Sequence, residues 1–385
     1  MGKFITAARL WDGEGQTVDP VIEIEDGLIA AIWPRAERAL SAELPEQHFA
    51  GATLAPAFFD VHIHGAAGHD VMEATPEALA KVSQFLASRG TGSYLATTVT
   101  APLDATLQSL SGLAGRLAVA ESPDWQGARP VGIHLEGPFL SHAKRGVHPP
   151  AHLLAPNIAI FDRMYNAAEG RIRLMTLAPE LPGAIELAAH ATAKGVRVSL
   201  GHSNATAAEA ELAITAGACS ATHTFNAMRS LDHREPGILG TVLTTDALFA
   251  ELICDGIHVH PSMVRLWWRT KGGARAILVT DAMAATGMPE GEYMLGGFPV
   301  QVADGRATAN GVLAGSVLTL DRALENFIRF TGESVAAALP LVTQNPSIMT
   351  GVTRGNLEVG QPANLVAINP DGSLAASFIR GQLQL

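Results

Sequence analysis

Cysteine is scarce in this sequence of 385 residues, and long uncharged apolar runs are absent from it. The two cysteines, Cys219 and Cys254, both lie in apolar, strand-like runs, which indicates buried and reduced thiols. No uncharged apolar run reaches the length of about 18 residues that a transmembrane helix needs. The first residues also lack the apolar core of a signal peptide. These absences together predict a cytoplasmic protein that does not bind a membrane.

Basic residues are fewer than acidic ones, with 26 Lys and Arg against 37 Asp and Glu, so the formal net charge is −11. A net negative surface repels phosphates, which excludes non-specific partners such as nucleic acid and anionic lipid. A small phosphorylated substrate stays compatible with this charge, because it needs only a local cluster of donors. Charged residues make up 16% and apolar residues 48% of the chain, which is the balance of a globular protein with a large core.

Two kinds of pattern divide the chain. Residues 1–54 and 352–385 alternate apolar and polar positions between Gly, Asp and Pro, and we expect these ends to pair into one small β-sandwich domain. Residues 55–351 instead alternate strand-like apolar runs with helix-like stretches rich in Ala, Leu and Glu. Eight strand candidates recur in this middle part: APAFFDVHIHG, GSYLATTVT, PVGIHLEGP, IRLMTLAPE, VRVSLGHSN, ACSATHTFN, FAELICDG and AILVTDAM.

Eight strands that alternate with helices predict an α/β fold of the (β/α)₈ TIM-barrel type for residues 55–351. A doubly wound open sheet is the competing fold. Nearly every strand candidate ends in His, Asp, Glu, Asn or Thr. In a barrel, these carboxyl ends all point to the one face where the active sites of this fold lie. The number of strands and this placement of polar residues favour the barrel.

Imidazoles and carboxylates at five of these strand ends predict a metal centre. His62 and His64 are two residues apart on one strand, so their side chains share a face about 6.7 Å apart and can reach one ion. Any one of these residues could be a structural polar cap. Five independent caps, however, are a poor explanation for imidazoles and carboxylates at five strand ends of the same barrel face. Nitrogen and oxygen donors without thiolates suit Zn²⁺, with Fe²⁺, Mn²⁺ and Co²⁺ as alternatives. The candidate ligands are His62, His64, Glu136, His202, His223 and Asp281.

The motifs around these residues also identify a family. The set HIHG, HLEGPF, GHSNA, THTFNAM, REPG, DGIHV, TDAM and LAGS is collinear with, and resembles, the N-acetylglucosamine-6-phosphate deacetylase family of the amidohydrolase superfamily. HLEGPF and THTFNAM are specific signatures, whereas HIHG and TDAM occur across the superfamily. The resemblance runs over essentially the whole chain. It implies the barrel fold and hydrolysis of N-acetyl-D-glucosamine 6-phosphate to D-glucosamine 6-phosphate and acetate.

The resemblance implies a role for each donor. Glu136, His202 and His223 match the main metal ligands of the family. His62 and His64 match the pair that holds a second ion in members that bind two, and Glu136 then bridges the ions. We therefore expect one or two divalent ions per subunit, with zinc as the first choice.

Two further residues carry catalytic roles by resemblance. Asp281 matches the catalytic aspartate, which takes a proton from the attacking water and later gives it to the departing amine. His148, in KRGVHPP, matches a histidine that helps to bind and polarise the acetyl carbonyl group. It lies on a segment rich in Pro and Gly, residues 139–150, that is placed to act as a lid.

The substrate contacts follow from the same resemblance. Arg234, in REPG, matches the arginine that binds phosphate, which suits the forked geometry of a guanidinium group. The alternative for Arg234 is a solvated surface charge. Leu313 to Ser316 match a loop that closes over the substrate. The expected substrate-binding residues are Val147, His148, Asn226, Ala227, Arg234, His258, Leu313, Ala314, Gly315 and Ser316.

Other functions stay open to different degrees. Dihydroorotase and hydantoinase chemistry usually needs a carboxylated lysine after the fourth strand, and IRLMTLAPE has none. A deacetylase of N-acetylgalactosamine 6-phosphate, or of a related N-acyl substrate, is the closer alternative. A non-catalytic scaffold is disfavoured because all the ligands and the catalytic aspartate are present. The resemblance also implies a homodimer.

Overall fold

The computed structural model describes residues 2–384. Its first part is a run of strands with one short 3₁₀ turn at Arg35–Glu37. These strands are β1 (Lys3–Trp11), β2 (Gln16–Val18), β3 (Pro20–Glu25), β4 (Leu28–Pro34) and β5 (Glu46–Pro56).

The middle part alternates strands with helices. Its strands are β6 (Phe58–Ile63), β7 (Gly65–Ala66), β8 (His69–Asp70), β9 (Thr91–Thr98), β10 (Arg129–Glu136), β11 (Ile172–Leu177), β12 (Arg197–Leu200), β13 (Ala218–Ala221), β14 (Phe249–Ile253) and β15 (Ala276–Val279). Its helices are α1 (Pro76–Ser88), α2 (Leu103–Ala120), α3 (Ile158–Ala167), α4 (Ala184–Ala193), α5 (Ala207–Thr215), α6 (Gly237–Thr244) and α7 (Pro261–Arg275). Short 3₁₀ turns lie at Val71–Glu73, His142–Lys144 and Pro150–His152.

The last part begins with a small antiparallel sheet, continues with three helices and ends in strands. The sheet contains β16 (Gly291–Leu295), β17 (Phe298–Ala303), β18 (Arg306–Ala309) and β19 (Val312–Leu313). The helices are α8 (Leu320–Thr331), α9 (Val335–Ala338) and α10 (Gln344–Thr350), with a 3₁₀ turn at Leu339–Val342. The final strands are β20 (Leu365–Ile368), β21 (Leu374–Ile379) and β22 (Gln382–Leu383).

The two ends of the chain meet in one mixed sheet. Its strand order is β22-β21-β20-β5-β1-β3-β4, with β2 paired to β1. β5 joins the halves because it pairs with β1 in parallel and with β20 in antiparallel fashion. A separate apolar cluster that includes Ile5, Leu54, Leu365 and Phe378 is buried against this sheet. The expected β-sandwich of the chain ends is thus built as one sheet of eight hydrogen-bonded strands.

The barrel consists of eight parallel strands in the order β15-β14-β13-β12-β11-β10-β9-β6. It closes between the last and the first strand, where Asp281 N donates to His62 O at 2.9 Å and His64 N donates to Ala282 O at 2.8 Å. The predicted (β/α)₈ fold is therefore confirmed. The division at residues 54 and 352 stays a prediction; β5 itself runs to Pro56.

Local sequence explains where the surrounding helices begin. Helix α1 has Pro76 at its first position, and the hydroxyl of Thr75 accepts from Ala78 N. Thr206 and Glu209 form a reciprocal capping box at the start of α5. These caps fix the first residues of α1 and α5. Within residues 2–384, we find no helix with the length and apolar character that a membrane crossing requires.

Candidate metal centre and active site

Glu136, the last residue of β10, lies at the centre of a buried cluster of imidazoles. Its two carboxylate oxygens are 3.2 to 3.4 Å from the Nε2 atoms of His62, His64, His202 and His223. The Nε2 atoms of His202 and His223 are 3.1 Å apart. All five side chains are buried. The barrel therefore brings together donors that are up to 161 positions apart along the chain, from residue 62 to residue 223.

Asp281 completes this cluster on the side of the closing strand. Its Oδ1 atom lies 3.1 Å from His64 Nε2 and 3.4 Å from His62 Nε2. Its backbone φ of +50° is in the left-handed region, which ordinary residues rarely adopt. Gly315 packs on the Asp281 carbonyl so closely that a Cβ atom would lie 2.9 Å from it. Such a strained and tightly packed position is typical of a functional site.

His62 and His64 are each held from behind through Nδ1. His62 Nδ1 is 3.3 Å from Glu251 Oε2, and His64 Nδ1 is 3.2 Å from the Thr97 carbonyl oxygen. Because a carbonyl or carboxylate oxygen can only accept, both Nδ1 atoms donate, and each neutral ring presents its Nε2 lone pair to the cluster. This arrangement is the one that metal-ligating histidines have.

His202 and His223 reach the cluster from strained backbone positions. Their φ values are +47° and +28°. His202 Nδ1 lies 2.9 Å from the Lys144 carbonyl oxygen, to which it donates, so its Nε2 lone pair also faces inward. His223 Nδ1 is buried and has no hydrogen-bond partner among residues 2–384. The strain at both residues is balanced by the packing that holds the rings in place.

His148 differs from these four histidines. Its Nδ1 atom accepts from Thr100 N at 3.3 Å and lies 2.8 Å from Thr100 Oγ1. The proton of a neutral ring is therefore on Nε2, which lies 3.5 Å from Glu136 Oε2. His148 thus offers a hydrogen-bond donor to the pocket rather than a lone pair, which agrees with a role toward a carbonyl oxygen.

Charges of both signs balance inside the cluster. Burial disfavours the ionised form of Glu136, but the His62 charge and hydrogen bonds from its neighbours hold the pKa of this carboxyl well below its usual range. The same balance places the pKa of Asp281 well below its usual range. Burial opposes protonation of His64, yet Asp281 and Glu136 raise its pKa to about 9. Without a metal ion, protons on imidazoles must therefore supply the positive charge that the carboxylates require.

The donors fit a divalent cation. Ligand atoms of Glu136, His62 and His64 lie within 4.8 Å of one another, and Glu136 and His202 belong to a second such group whose third member, His148, is the hydrogen-bond donor described above. His62 Nε2 is buried and has no hydrogen-bond partner among the described residues, as expected for an atom that faces an ion. A cation also replaces the imidazole protons, because ligand histidines bind in the neutral form. Buried donor groups for divalent metal are thus present.

A pocket of about 360 Å³ opens above this cluster. That volume is within the range of small-molecule sites. Most of the substrate-binding residues expected from the sequence line it: Val147, His148, Asn226, Ala227, His258, Leu313 and Gly315.

Comparison with known proteins places this geometry in a family. A model of the amidohydrolase family matches residues 53–383. The chain is also 39% identical to N-acetylgalactosamine-6-phosphate deacetylase of Escherichia coli O157:H7, over 100% of this chain and 99% of the relative. The chain belongs to the amidohydrolase family. Within it, the resemblance to the N-acetylhexosamine-6-phosphate deacetylases is confirmed.

Two further relatives of this amidohydrolase carry the name of a deacetylase of the same class. N-acetylglucosamine-6-phosphate deacetylase of Bacillus subtilis (strain 168) is 36% identical over 94% of this chain and 92% of the relative. The structure of an aspartate-to-alanine mutant of the Mycobacterium smegmatis N-acetyl-D-glucosamine-6-phosphate deacetylase, in complex with N-acetyl-D-glucosamine-6-phosphate, superposes with a TM-score of 0.92. It is 32% identical and covers 100% of this chain and 99% of that chain.

Three expected substrate residues of this amidohydrolase do not line the pocket of their own chain. Arg234 is exposed on the loop before α6, and its backbone N donates to Asp232 Oδ1 at 2.9 Å. Ala314 is buried. Ser316 is also buried; its hydroxyl donates to the Thr280 carbonyl, and its backbone N donates to the Asp281 carbonyl at 2.7 Å. Ser316 therefore contacts the backbone of the Asp281 turn instead of the cavity.

Sequence reasoning missed several residues around this amidohydrolase site. Val99, Lys144, Leu295 and Val312 line the pocket, the last two from the β16–β19 insertion. Glu251, behind His62, is fully buried. Its signal was available, because it is the one charged residue in the buried strand FAELI.

His258, at the edge of the pocket, is held by Asp255. Asp255 Oδ2 lies 2.6 Å from His258 Nδ1, and Asp255 Oδ1 accepts from the backbone N atoms of Ile257 and His258, both at 2.8 Å. Burial lowers the pKa of His258, but the hydrogen bond to Asp255 raises it above its ordinary value. The pocket edge therefore favours a positively charged imidazole.

Proposed function

We propose that the chain hydrolyses N-acetyl-D-glucosamine 6-phosphate to D-glucosamine 6-phosphate and acetate. The observation that carries this proposal is the position of Asp281. Its carboxylate lines the pocket and contacts both His62 and His64, so a proton-transfer group stands directly beside the candidate metal donors. The names and coverage of the relatives support the substrate class.

The residues divide the work of amide hydrolysis. A divalent ion bound among these donors supplies Lewis-acid chemistry, which polarises oxygen atoms and lowers the pKa of water. Asp281 takes the proton of the attacking water and gives it to the nitrogen when the C–N bond breaks, because a free amine leaves far more easily when protonated. His148 donates from Nε2 to the acetyl carbonyl oxygen and stabilises the charge that develops there.

For the ion we propose zinc, one or two per subunit, with iron, manganese or cobalt as alternatives. The donor set of imidazoles and carboxylates suits these metals. Glu136 contacts both pairs of histidines, so its carboxylate would hold an ion together with either pair. The two free cysteines favour a reducing compartment, and we propose the cytoplasm.

The second candidate substrate is N-acetyl-D-galactosamine 6-phosphate. The relative from Escherichia coli O157:H7 that carries this activity in its name is 39% identical, against 36% for the Bacillus subtilis relative. The two sugars differ only in the orientation of one hydroxyl group.

Acetate release from the two sugar phosphates tests the proposal. We expect a higher kcat/KM for the glucosamine substrate than for its epimer, with the Asp281→Asn variant as the inactive control. A higher kcat/KM for N-acetyl-D-galactosamine 6-phosphate would instead identify that sugar phosphate as the substrate. Absence of acetate release from both, with the metal-loaded protein, would contradict the proposed reaction.

We also propose that the active unit is a homodimer in which Arg234 serves the pocket of the partner subunit. Arg234 is exposed and lies outside its own pocket, yet it is the arginine that matches the phosphate ligand of the family. Arg234→Ala is expected to raise KM roughly 10- to 100-fold, since a hydrogen bond to a charged group contributes about 1.5–3 kcal/mol.

Complementation between variants tests this arrangement. Co-expressed Arg234→Ala and Asp281→Asn chains form mixed dimers in which one site receives both wild-type residues. We expect the mixture to recover about a quarter of the wild-type activity, by random pairing. Activity no higher than that of the separate variants would place the action of Arg234 within its own chain.

A further inference from the structure

A second cleft lies at the opposite end of the barrel, where the small sheet meets the amino ends of the barrel strands. Its volume is about 120 Å³. Arg129, the first residue of β10, contributes to it, whereas Glu136 at the metal centre is the last residue of the same strand. Seven residue steps along a strand separate the two by roughly 23 Å. The cleft is therefore a separate place on the molecule.

Three arginines line this cleft: Arg129, Arg354 and Arg380. Glu358 is the one carboxylate among the described lining residues, and it accepts from Asn356 Nδ2 at 3.3 Å. Within residues 2–384, none of the three guanidinium groups forms an ion pair. The cleft thus gathers positive charge without matching carboxylates, in a chain whose net charge is −11.

The acidic side chain outside the lining whose charge acts on Arg129, Glu121, is paired with another arginine. The Glu121 carboxylate accepts from Arg171 Nη1 at 2.6 Å. The hydrogen bonds of the Arg129 guanidinium group near Glu121 go to main-chain carbonyls, from Nη1 to Glu121 O and from Nη2 to Ser122 O. These two bonds fix the guanidinium group in position without neutralising it.

The other two guanidinium groups keep most of their donors free. Arg354 donates from Nη1 to the Thr353 carbonyl oxygen at 3.0 Å. The Arg380 guanidinium donates to no other residue in the described part of the chain; Arg380 forms a hydrogen bond only through its backbone N, to Asn364 Oδ1. Burial and the nearby Arg380 lower the pKa of Arg129, and burial and the Arg129 charge lower that of Arg354. An anion bound in the cleft would relieve the repulsion between these neighbouring guanidinium charges.

We propose that this cleft binds the phosphate group of a small anion. A phosphate monoester carries close to two negative charges and three acceptor oxygens, which match converging guanidinium forks. The surplus of donors in the cleft fits such a group better than a single carboxylate. Free phosphate and the phosphate of a metabolite share this chemistry.

The position of the three arginines gives such binding a consequence. Arg129 belongs to the barrel, Arg380 follows β21 of the small sheet, and Arg354 lies on the segment between α10 and β20. One bound anion therefore ties three parts of the chain together. A ligand that binds only the folded state stabilises it, so the folded protein is expected to unfold at a higher temperature in phosphate.

Trp125 provides a local signal, because its ring lines the cleft and its Nε1 donates to Ala128 O at 2.9 Å. The metal-loaded protein is titrated with inorganic phosphate, and separately with glucose 6-phosphate, at constant pH and ionic strength set with KCl. Tryptophan emission and the unfolding temperature are followed. The Trp125→Phe variant identifies the part of the emission change that belongs to the cleft.

We expect a saturable emission change in the millimolar range and a rise in unfolding temperature. The Arg129→Gln/Arg380→Gln variant is expected to raise the apparent Kd for the anion at least tenfold, while the KM for the deacetylase substrate stays unchanged. Arg306→Gln removes an exposed arginine on the β16–β19 insertion and is the matched control. The anion that binds more tightly, inorganic phosphate or glucose 6-phosphate, shows whether the cleft takes free phosphate or the phosphate of a metabolite.

The proposal is overturned if neither anion changes Trp125 emission in a saturable way. It is also overturned if the double variant binds as tightly as the Arg306→Gln control. Because the signal comes from the amino end of the barrel, these outcomes are independent of the deacetylase reaction at the other end.

Discussion

His62 lies in β6 and His64 directly follows its last residue, whereas His202 and His223 enter the donor cluster with left-handed backbone φ angles of +47° and +28°. The first pair needs only strand alternation to share a face. The second pair depends on tertiary packing that holds a strained backbone. Half of the centre, the strand-built half, thus stands on one strand and the residue that follows it, and the other half is assembled from loops that follow two strands. Asp281 contacts the strand-built half.

The largest effect is expected at Asp281. Asp281→Asn keeps the shape of the side chain but removes the proton acceptor beside His62 and His64. Loss of general acid–base catalysis lowers kcat by roughly 10²- to 10⁴-fold, while KM changes little. Steady-state kinetics on the sugar phosphate measures this. A variant that keeps a tenth of the wild-type kcat would contradict the role given to Asp281.

The next effect separates the two halves by metal content. His202→Gln removes a ligand from the half that matches the main metal site, and we expect loss of activity together with nearly all bound metal. His62→Gln removes a ligand from the strand-built half, and we expect the metal content to fall to one ion per chain with part of the activity retained. Elemental analysis of both variants gives the counts. Equal metal loss in the two variants would mean that the halves bind one ion jointly.

A smaller effect is expected behind the strand-built half. Glu251→Gln replaces the carboxylate that accepts from His62 Nδ1 at 3.3 Å. Loss of such a supporting group weakens metal binding about 10- to 100-fold. Competition with a chelator measures the affinity. The Glu251→Gln protein also contains an internal control, because His202 Nδ1 donates to a main-chain carbonyl that no side-chain change removes. The metal held by the strained half of this variant should therefore be released at the same chelator concentration as in the wild type.

The smallest effect concerns pH, at a histidine outside the cluster. The pKa of His258 is raised because Asp255 outweighs burial, so the folded protein keeps this imidazole charged above its ordinary value of 6.5. The attraction between this charge and the anionic substrate is present below the raised pKa and is lost as pH rises through it. KM should therefore increase on the alkaline side. Asp255→Asn should move that increase to lower pH, and an unchanged KM profile would remove His258 from substrate binding.

Much of this architecture follows from local sequence rules. The eight strand candidates all form barrel strands, because buried parallel strands read as short apolar runs. The placement of polar residues at their carboxyl ends predicts the cluster, since all these ends lie on one face. The spacing of His62 and His64 is enough by itself to place both rings on the same side.

Other features depend on long-range packing that sequence patterns do not encode. The β16–β19 insertion reaches the pocket with Leu295 and Val312, although nothing in its alternation indicates what it covers. Ser316 supports the Asp281 turn instead of lining the cavity, because barrel closure places it behind that strand. The position of Arg234 outside its own pocket follows from the path of an exposed loop.

Metal analysis tests the central idea most directly, that six side chains from distant parts of the chain hold divalent metal at the mouth of the barrel. The purified protein is analysed for bound elements before and after treatment with a chelator, with acetate release measured in parallel. One or two divalent ions per chain should be found, and chelation should remove ions and activity together, with recovery on adding Zn²⁺. A folded protein that releases acetate at the full rate without any divalent ion would contradict the account.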